Sequence, residues 1–147
     1  PYRYHATLLS MAQSCDVLLV AASGGAETRH MVNAEVLKAL GPTGIVINVG
    51  RGTVIDEAAL IEALRNKTIL SAGLDVFDNE PQVPQALIAM DHVVLLPHVG
   101  SASVYTRKAM AQLVVDNLYA WFERRGPLTP VPECQHLPAA ARGQVVP

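Results

Sequence analysis

Short unbroken apolar runs separated by polar, helix-patterned stretches organise this sequence. Val17-Leu18-Leu19-Val20-Ala21-Ala22 is the first such run, led in by Asp16 and closed by Ser23-Gly24-Gly25. Ile45 to Val49, Leu70 to Val76 and Val93 to Leu96 follow. Apolar runs of this length without alternation predict strands buried on both faces, as in a parallel sheet. Between them the spacing changes. Asn33 is placed to cap a helix over Ala34 to Leu40, which Gly41-Pro42 ends. Asp56 caps another, with Leu60, Ile61 and Leu64 on one face. Pro81 and Pro84 break the chain before a short helix at Gln85 to Met90. A brief helical pattern precedes the first strand, at Leu8, Leu9, Met11 and Ala12. The last long element spans about Ser103 to Arg125, with Val104, Met110, Leu113, Val114, Leu118, Trp121 and Phe122 at helical spacing. Arg124 and Arg125 fall where the helix dipole favours cations, and Gly126-Pro127 stops it. Pro130, Pro132 and Pro138 mark a tail. Strands alternating with helices define an α/β fold with a doubly wound parallel sheet.

Bulk properties narrow the classes. The 147 residues are 50% hydrophobic and 16% charged, enough for a sizeable core. A net charge of -2 gives no footprint for nucleic acid or an anionic membrane. Cys15 and Cys134 lack the spacing of a zinc site or disulfide framework and read as reduced thiols. No run reaches membrane-spanning length, so a cytoplasmic protein is expected. The chain opens at Pro1-Tyr2-Arg3-Tyr4 without an initiator Met, and its first well-defined strand comes only at Val17, which suggests a fragment.

Candidate chemistry gathers at strand ends, where open α/β sheets hold their ligands. Arg51 lies between Gly50 and Gly52 directly after the second strand. The glycines leave bare backbone on both sides, and the guanidinium fork suits a carboxylate better than lysine does. His98 follows Pro97 at the end of the fourth strand, placed to hand a proton to a carbonyl oxygen. Glu80 sits in a proline-fixed loop and, if it reaches His98, would orient the ring. Asp75, inside the apolar segment Leu74 to Phe77, needs a partner against desolvation. These four are expected to meet in one cleft. Asp56 and Glu57 are read as cap residues, and His5, His30, His92 and His136 as surface. Gly24-Gly25 is a weak phosphate or adenine signal, and GxGxxG is absent.

INVGRGTVIDEAAL, AGLDVFDNEP and LLPHVGSAS, in that order, resemble the D-isomer-specific 2-hydroxyacid dehydrogenase family over about residues 2 to 132. The wording is nearest its hydroxyphenylpyruvate, hydroxypyruvate and glyoxylate reductase branch. The resemblance implies reduction of a small 2-oxo acid to the D-2-hydroxy acid with NADP or NAD, leaning toward NADP. Arg51 would hold the substrate carboxylate, His98 act as acid-base, and Glu80 support it. Ala22, Val49, Gly50, Arg51, Asp75, His98, Gly100 and Ser101 would line the cofactor. The resemblance also implies that this is the C-terminal half of a Rossmann-like architecture. Residues 1–98 would complete the nucleotide domain, and 99–147 would form a crossover helix and tail of the substrate domain. It further implies a homodimer. Two alternatives stand beside it: a dinucleotide-sensing scaffold of the same fold, corepressor-like and without enzymatic activity, and an inactive truncated product.

Overall fold

The computed structural model describes residues 3–123 and 125–135; Arg124, His136, Pro138 and the Ala139-Ala140-Ala141-Arg142 stretch lie outside them. The chain divides into two compact units, Pro1–Gly100 and Ser101–Pro147.

In the first unit, strands β1 (Val17–Val20), β2 (Ile45–Asn48), β3 (Ser71–Leu74) and β4 (Val93–Leu95) form one sheet in the order β1-β2-β3-β4. Every pairing is parallel, with Val17 opposite Ile45, Ile45 opposite Ser71 and Ala72 opposite Val93. The strands are shorter than the apolar runs, because Ala21, Val49 and Asp75 already turn away into the loops of the site. Helix α1 (Leu8–Ala12) starts at Thr7, whose hydroxyl accepts the Ser10 N–H. Helix α2 (Ala34–Leu40) is capped by Asn33 Oδ1, which takes the N–H groups of Glu35 and Val36. Helix α3 (Glu57–Arg65) is capped by the Asp56 carboxylate through Ala59 N–H. These caps satisfy donors that a helix start leaves free.

Leu37 and Leu40 of α2 and Leu60 and Leu64 of α3 join Leu18, Val20, Val46, Ala72 and Leu74 in one core. The opposite face of the sheet differs from expectation. Leu19 is 60% exposed and Val94 61%, so the strands are buried on one face only among the described residues. Alternation was hidden in the sequence because the uncovered face is as apolar as the covered one. Helix α4 (Gln85–Ile88), a single turn, ends before Met90 and packs on β4.

One connection went unread. A turn of 3-10 helix at Gly52–Val54 separates Arg51 from α3. It is tied to the preceding loop by His30 N–H to Thr53 O at 2.9 Å, Val32 N–H to Val54 O at 3.1 Å and Asp56 N–H to Val32 O at 3.0 Å. His30 is consequently no surface residue. It sits at φ 52°, half-buried, and its Nε2 is buried without a hydrogen-bond partner among the described residues.

In the second unit, α5 (Val104–Phe122) begins at Ser103, whose Oγ accepts the Thr106 N–H. It stops before Arg125, because Arg125 N–H bonds back to the Ala120 carbonyl at 3.0 Å and closes the last turn. Asn117 holds the returning chain through Thr129 N–H to Oδ1 at 3.1 Å. No helix among the described residues is long and apolar enough to cross a membrane.

Candidate active site

The site begins with Asn48, the last residue of β2 and almost fully buried at 1% exposure. A buried amide must find partners. Its Oδ1 accepts the Gly50 N–H at 3.0 Å, and its Nδ2 donates to the Arg51 carbonyl at 3.0 Å. Asn48 therefore folds the Val49-Gly50-Arg51 turn from inside. In the sequence it stands within the apolar stretch Ile45 to Val49. A lone amide closing a buried strand was the available signal.

The glycines around Arg51 have a different reason from the one expected. A Cβ on Gly50 would lie 2.5 Å from the Ala22 carbonyl oxygen, and one on Gly52 would lie 1.9 Å from the Phe77 carbonyl carbon. They are small because neighbouring backbone presses on them, and that pressure sets where Arg51 stands. Gly24 belongs to the same packing, since a Cβ there would lie 3.0 Å from Arg51 Cγ. The guanidinium then folds back, Nη1 donating to the Gly50 carbonyl at 2.7 Å.

Opposite stands the loop after β3. Glu80 accepts the Phe77 N–H on Oε1 at 3.0 Å and meets His98 Nδ1 on Oε2 at 2.7 Å. The Glu80 carboxyl is held below its ordinary pKa by the hydrogen bond to His98, which outweighs the opposing effect of burial, with the Phe77 N–H and the His98 and Arg51 charges adding to the lowering. A lowered carboxylate pKa contributes stability above the ordinary carboxylate range and loses it as pH falls through the lowered value. His98 is at φ 54°, a conformation uncommon for a residue with a side chain. With Nδ1 on Glu80, Nε2 is the ring nitrogen left for chemistry.

Asp75 explains how His98 holds that conformation. Only 5% exposed, it accepts Val99 N–H on Oδ1 and Gly100 N–H on Oδ2, both at 2.8 Å. A Cβ on Gly100 would lie 2.9 Å from Oδ2. The need for a partner was legible. Arg51, Glu80 and His98 line a cleft of about 840 Å³ with Ala22, Val49 and Gly50, and Asp75 lines the adjoining groove, which shares Val49, and anchors the chain following His98. Asp75→Asn leaves one main-chain N–H facing an amide donor, and a loss of about 2 kcal/mol is expected in a urea titration. Ser101 opens the second unit. Among the described residues no group of three or more His, Cys, Asp or Glu side chains is placed to hold a metal ion.

A sheet-edge cleft with a backbone-lined floor, one arginine and a carboxylate-supported histidine is the arrangement of a nucleotide-type α/β domain whose histidine is placed to exchange a proton with a bound group. Residues 2–100 match the family described as D-isomer specific 2-hydroxyacid dehydrogenase, NAD binding domain. The chain belongs to that family. It is 50% identical over 130 residues to the hydroxyphenylpyruvate reductase of Plectranthus scutellarioides, covering 88% of this chain and 42% of that protein. The glyoxylate/hydroxypyruvate reductase A of Arabidopsis thaliana matches with the same identity and coverage. The crystal structure of an NADPH-dependent glyoxylate/hydroxypyruvate reductase from Sinorhizobium meliloti, in complex with NADP and malonate, superposes with a TM-score of 0.88 at 60% identity. That match covers 90% of this chain and 41% of that one. The chain thus spans about two fifths of the length of these relatives.

Proposed function

We propose that the protein reduces a small 2-oxo acid of the glyoxylate, hydroxypyruvate or hydroxyphenylpyruvate type to the D-2-hydroxy acid, using NADPH or NADH. The observation that carries this is the Glu80–His98 pair at 2.7 Å on the same cleft wall system as Arg51. Relatives named as reductases of such acids support it.

The cleft fits the ring end of a dinucleotide. Its floor, where the Ala22 carbonyl approaches Gly50 and no room exists for a Cβ, offers backbone rather than bulky side chains to a flat group. When bound, the nicotinamide supplies the hydride. Everything else is done by the protein. Arg51 grips the substrate carboxylate through its fork and fixes the keto carbon. His98 Nε2 gives its proton to the carbonyl oxygen as that oxygen gains charge, and Glu80 holds Nδ1 protonated and the ring oriented. Asp75 keeps the chain beyond His98 in place. Ala22, Val49, Gly50, Arg51, Asp75, His98, Gly100 and Ser101 make up the proposed cofactor lining. NADP is favoured over NAD because the Sinorhizobium enzyme is NADPH-dependent. Residues 1–98 are proposed to complete the nucleotide domain and 99–147 to serve the substrate domain. The exposed apolar side chains of α5, with Tyr105 83% and Phe122 75% exposed, are of the kind that packing against the substrate domain buries, and a homodimer formed through the nucleotide domain is proposed with it.

The test is oxidation of NADPH and NADH by the full-length protein with each of the three oxo acids. Turnover with any of them supports the reading. Dinucleotide binding without turnover would replace it with a sensing scaffold. Arg51→Ala is expected to lower kcat/KM about 100-fold, with KM raised and kcat reduced together, since it removes charge-assisted bonds and positioning at once.

A further inference from the structure

Glu57 opens α3 beside Asp56, and in sequence the two look like interchangeable helix-start acids. The structure separates them. Asp56 caps the helix through Ala59 N–H. Glu57 reaches away from it, its Oε2 accepting the main-chain N–H of Asp78 at 3.3 Å, 21 residues along the chain. Asp78 belongs to the short segment between Phe77, whose N–H holds Glu80 Oε1, and Glu80 itself. The same segment lies against Gly52, where a Cβ would meet Asp78 N at 2.4 Å. The first turn of α3, the Arg51 turn and the Glu80 loop are therefore joined at Asp78.

An acid in a helix's first turn is favoured by the dipole wherever its side chain points. That general effect needs no particular partner and would leave the carboxylate in water. Glu57 is instead half-buried, and burial raises its pKa above the ordinary value, with the Asp78 charge adding to this and the Asp78 N–H opposing it. The carboxylate occupies this place at some cost in hydration, and the contact it gains there is the Asp78 N–H.

We propose that Glu57 is a positioning residue for the Glu80–His98 pair: by holding the Asp78 main chain to the first turn of α3, it sets the point from which Glu80 reaches His98. This rests on the reading of the cleft as a reductase site. The charged groups facing Glu80 are His98 and Arg51, and the one facing Glu57 is Asp78.

The experiment compares the full-length protein with its Glu57→Ala and Glu57→Gln variants. It reads kcat and KM for glyoxylate and the ¹³C titration of the Glu80 carboxyl. Glu57→Ala is expected to lower kcat about 10-fold, a part of the ~100-fold that a 1 Å misplacement costs, with KM changed much less. Its Glu80 carboxyl should titrate closer to the ordinary carboxylate range. Glu57→Gln keeps an acceptor oxygen for Asp78 N–H and should restore both readings. Should Glu57→Ala fail to fold, Glu57→Asp, one methylene short of Asp78, takes its place with the same expectations. Equal impairment in Glu57→Gln and Glu57→Ala, or no change in either, overturns the proposal. The carboxyl titration needs no turnover. A wild-type protein without reductase activity, whose Glu80 still shifts in Glu57→Ala, would sink the reductase reading and keep the positioning role.

Discussion

His98→Asn is expected to lower kcat about 1,000-fold with KM for the oxo acid little changed, in the middle of the range for loss of a positioned general acid. Asparagine is the informative replacement because the site imposes φ 54°, and asparagine is among the few residues that adopt such a φ readily. The corner held by Asp75 through Val99 and Gly100 N–H should therefore survive. The substituted side chain cannot transfer a proton at neutral pH. The imidazole is also 46% exposed, so little packing is lost and the thermal midpoint should hardly move. Steady-state kinetics of the full-length protein, with a melting curve alongside, check both halves. A kcat within a few-fold of wild type would remove His98 from the chemistry, and a collapsed melting curve would mean that the corner, not the acid, had been tested.

The parts of this structure that could be read from the sequence are those decided within a few residues. Asn33 and Asp56 cap helices through N–H groups two or three positions on, so composition and spacing suffice to find them. The strands were located by their apolar runs, and the association of Arg51, Glu80 and His98 followed from their places at strand ends. What stayed hidden is decided by residues far apart in sequence. Gly52 is small because of Phe77, Gly50 because of Ala22 and Gly24 because of Arg51, and none of these pairs is visible in a linear pattern. Asp75 shows the boundary well. Burial of a carboxylate demands donors, which is local reasoning, but that the donors are main-chain N–H groups just beyond His98 depends on the β3–β4 register. Glu57 was misread for the same reason, its partner being 21 residues away.

Gly52→Ala is expected to be the most damaging single-methyl change in the first unit, costing about 3 kcal/mol or more, the upper end for forcing extra atoms into a packed interior. The new Cβ would stand 1.9 Å from the Phe77 carbonyl carbon, 2.0 Å from its oxygen and 2.4 Å from Asp78 N. All three are backbone atoms, so no side-chain rotation relieves the overlap, and either the Gly52–Val54 turn or the Phe77–Glu80 loop must shift. Each carries part of the site. Arg51 precedes the turn and Glu80 ends the loop, so kcat/KM should fall beyond what the stability loss explains, in protein that is still folded at the assay temperature. Gly73→Ala is the matched control. Its Cβ would find only Ile47 Cγ1 at 3.8 Å, an ordinary contact, and alanine restricts the unfolded chain more than glycine does. Urea midpoints should therefore separate the two variants widely, Gly73→Ala staying at or slightly above wild type. Similar midpoints would mean that the Phe77 loop yields, and that Arg51 and Glu80 are not held in register by direct backbone contact.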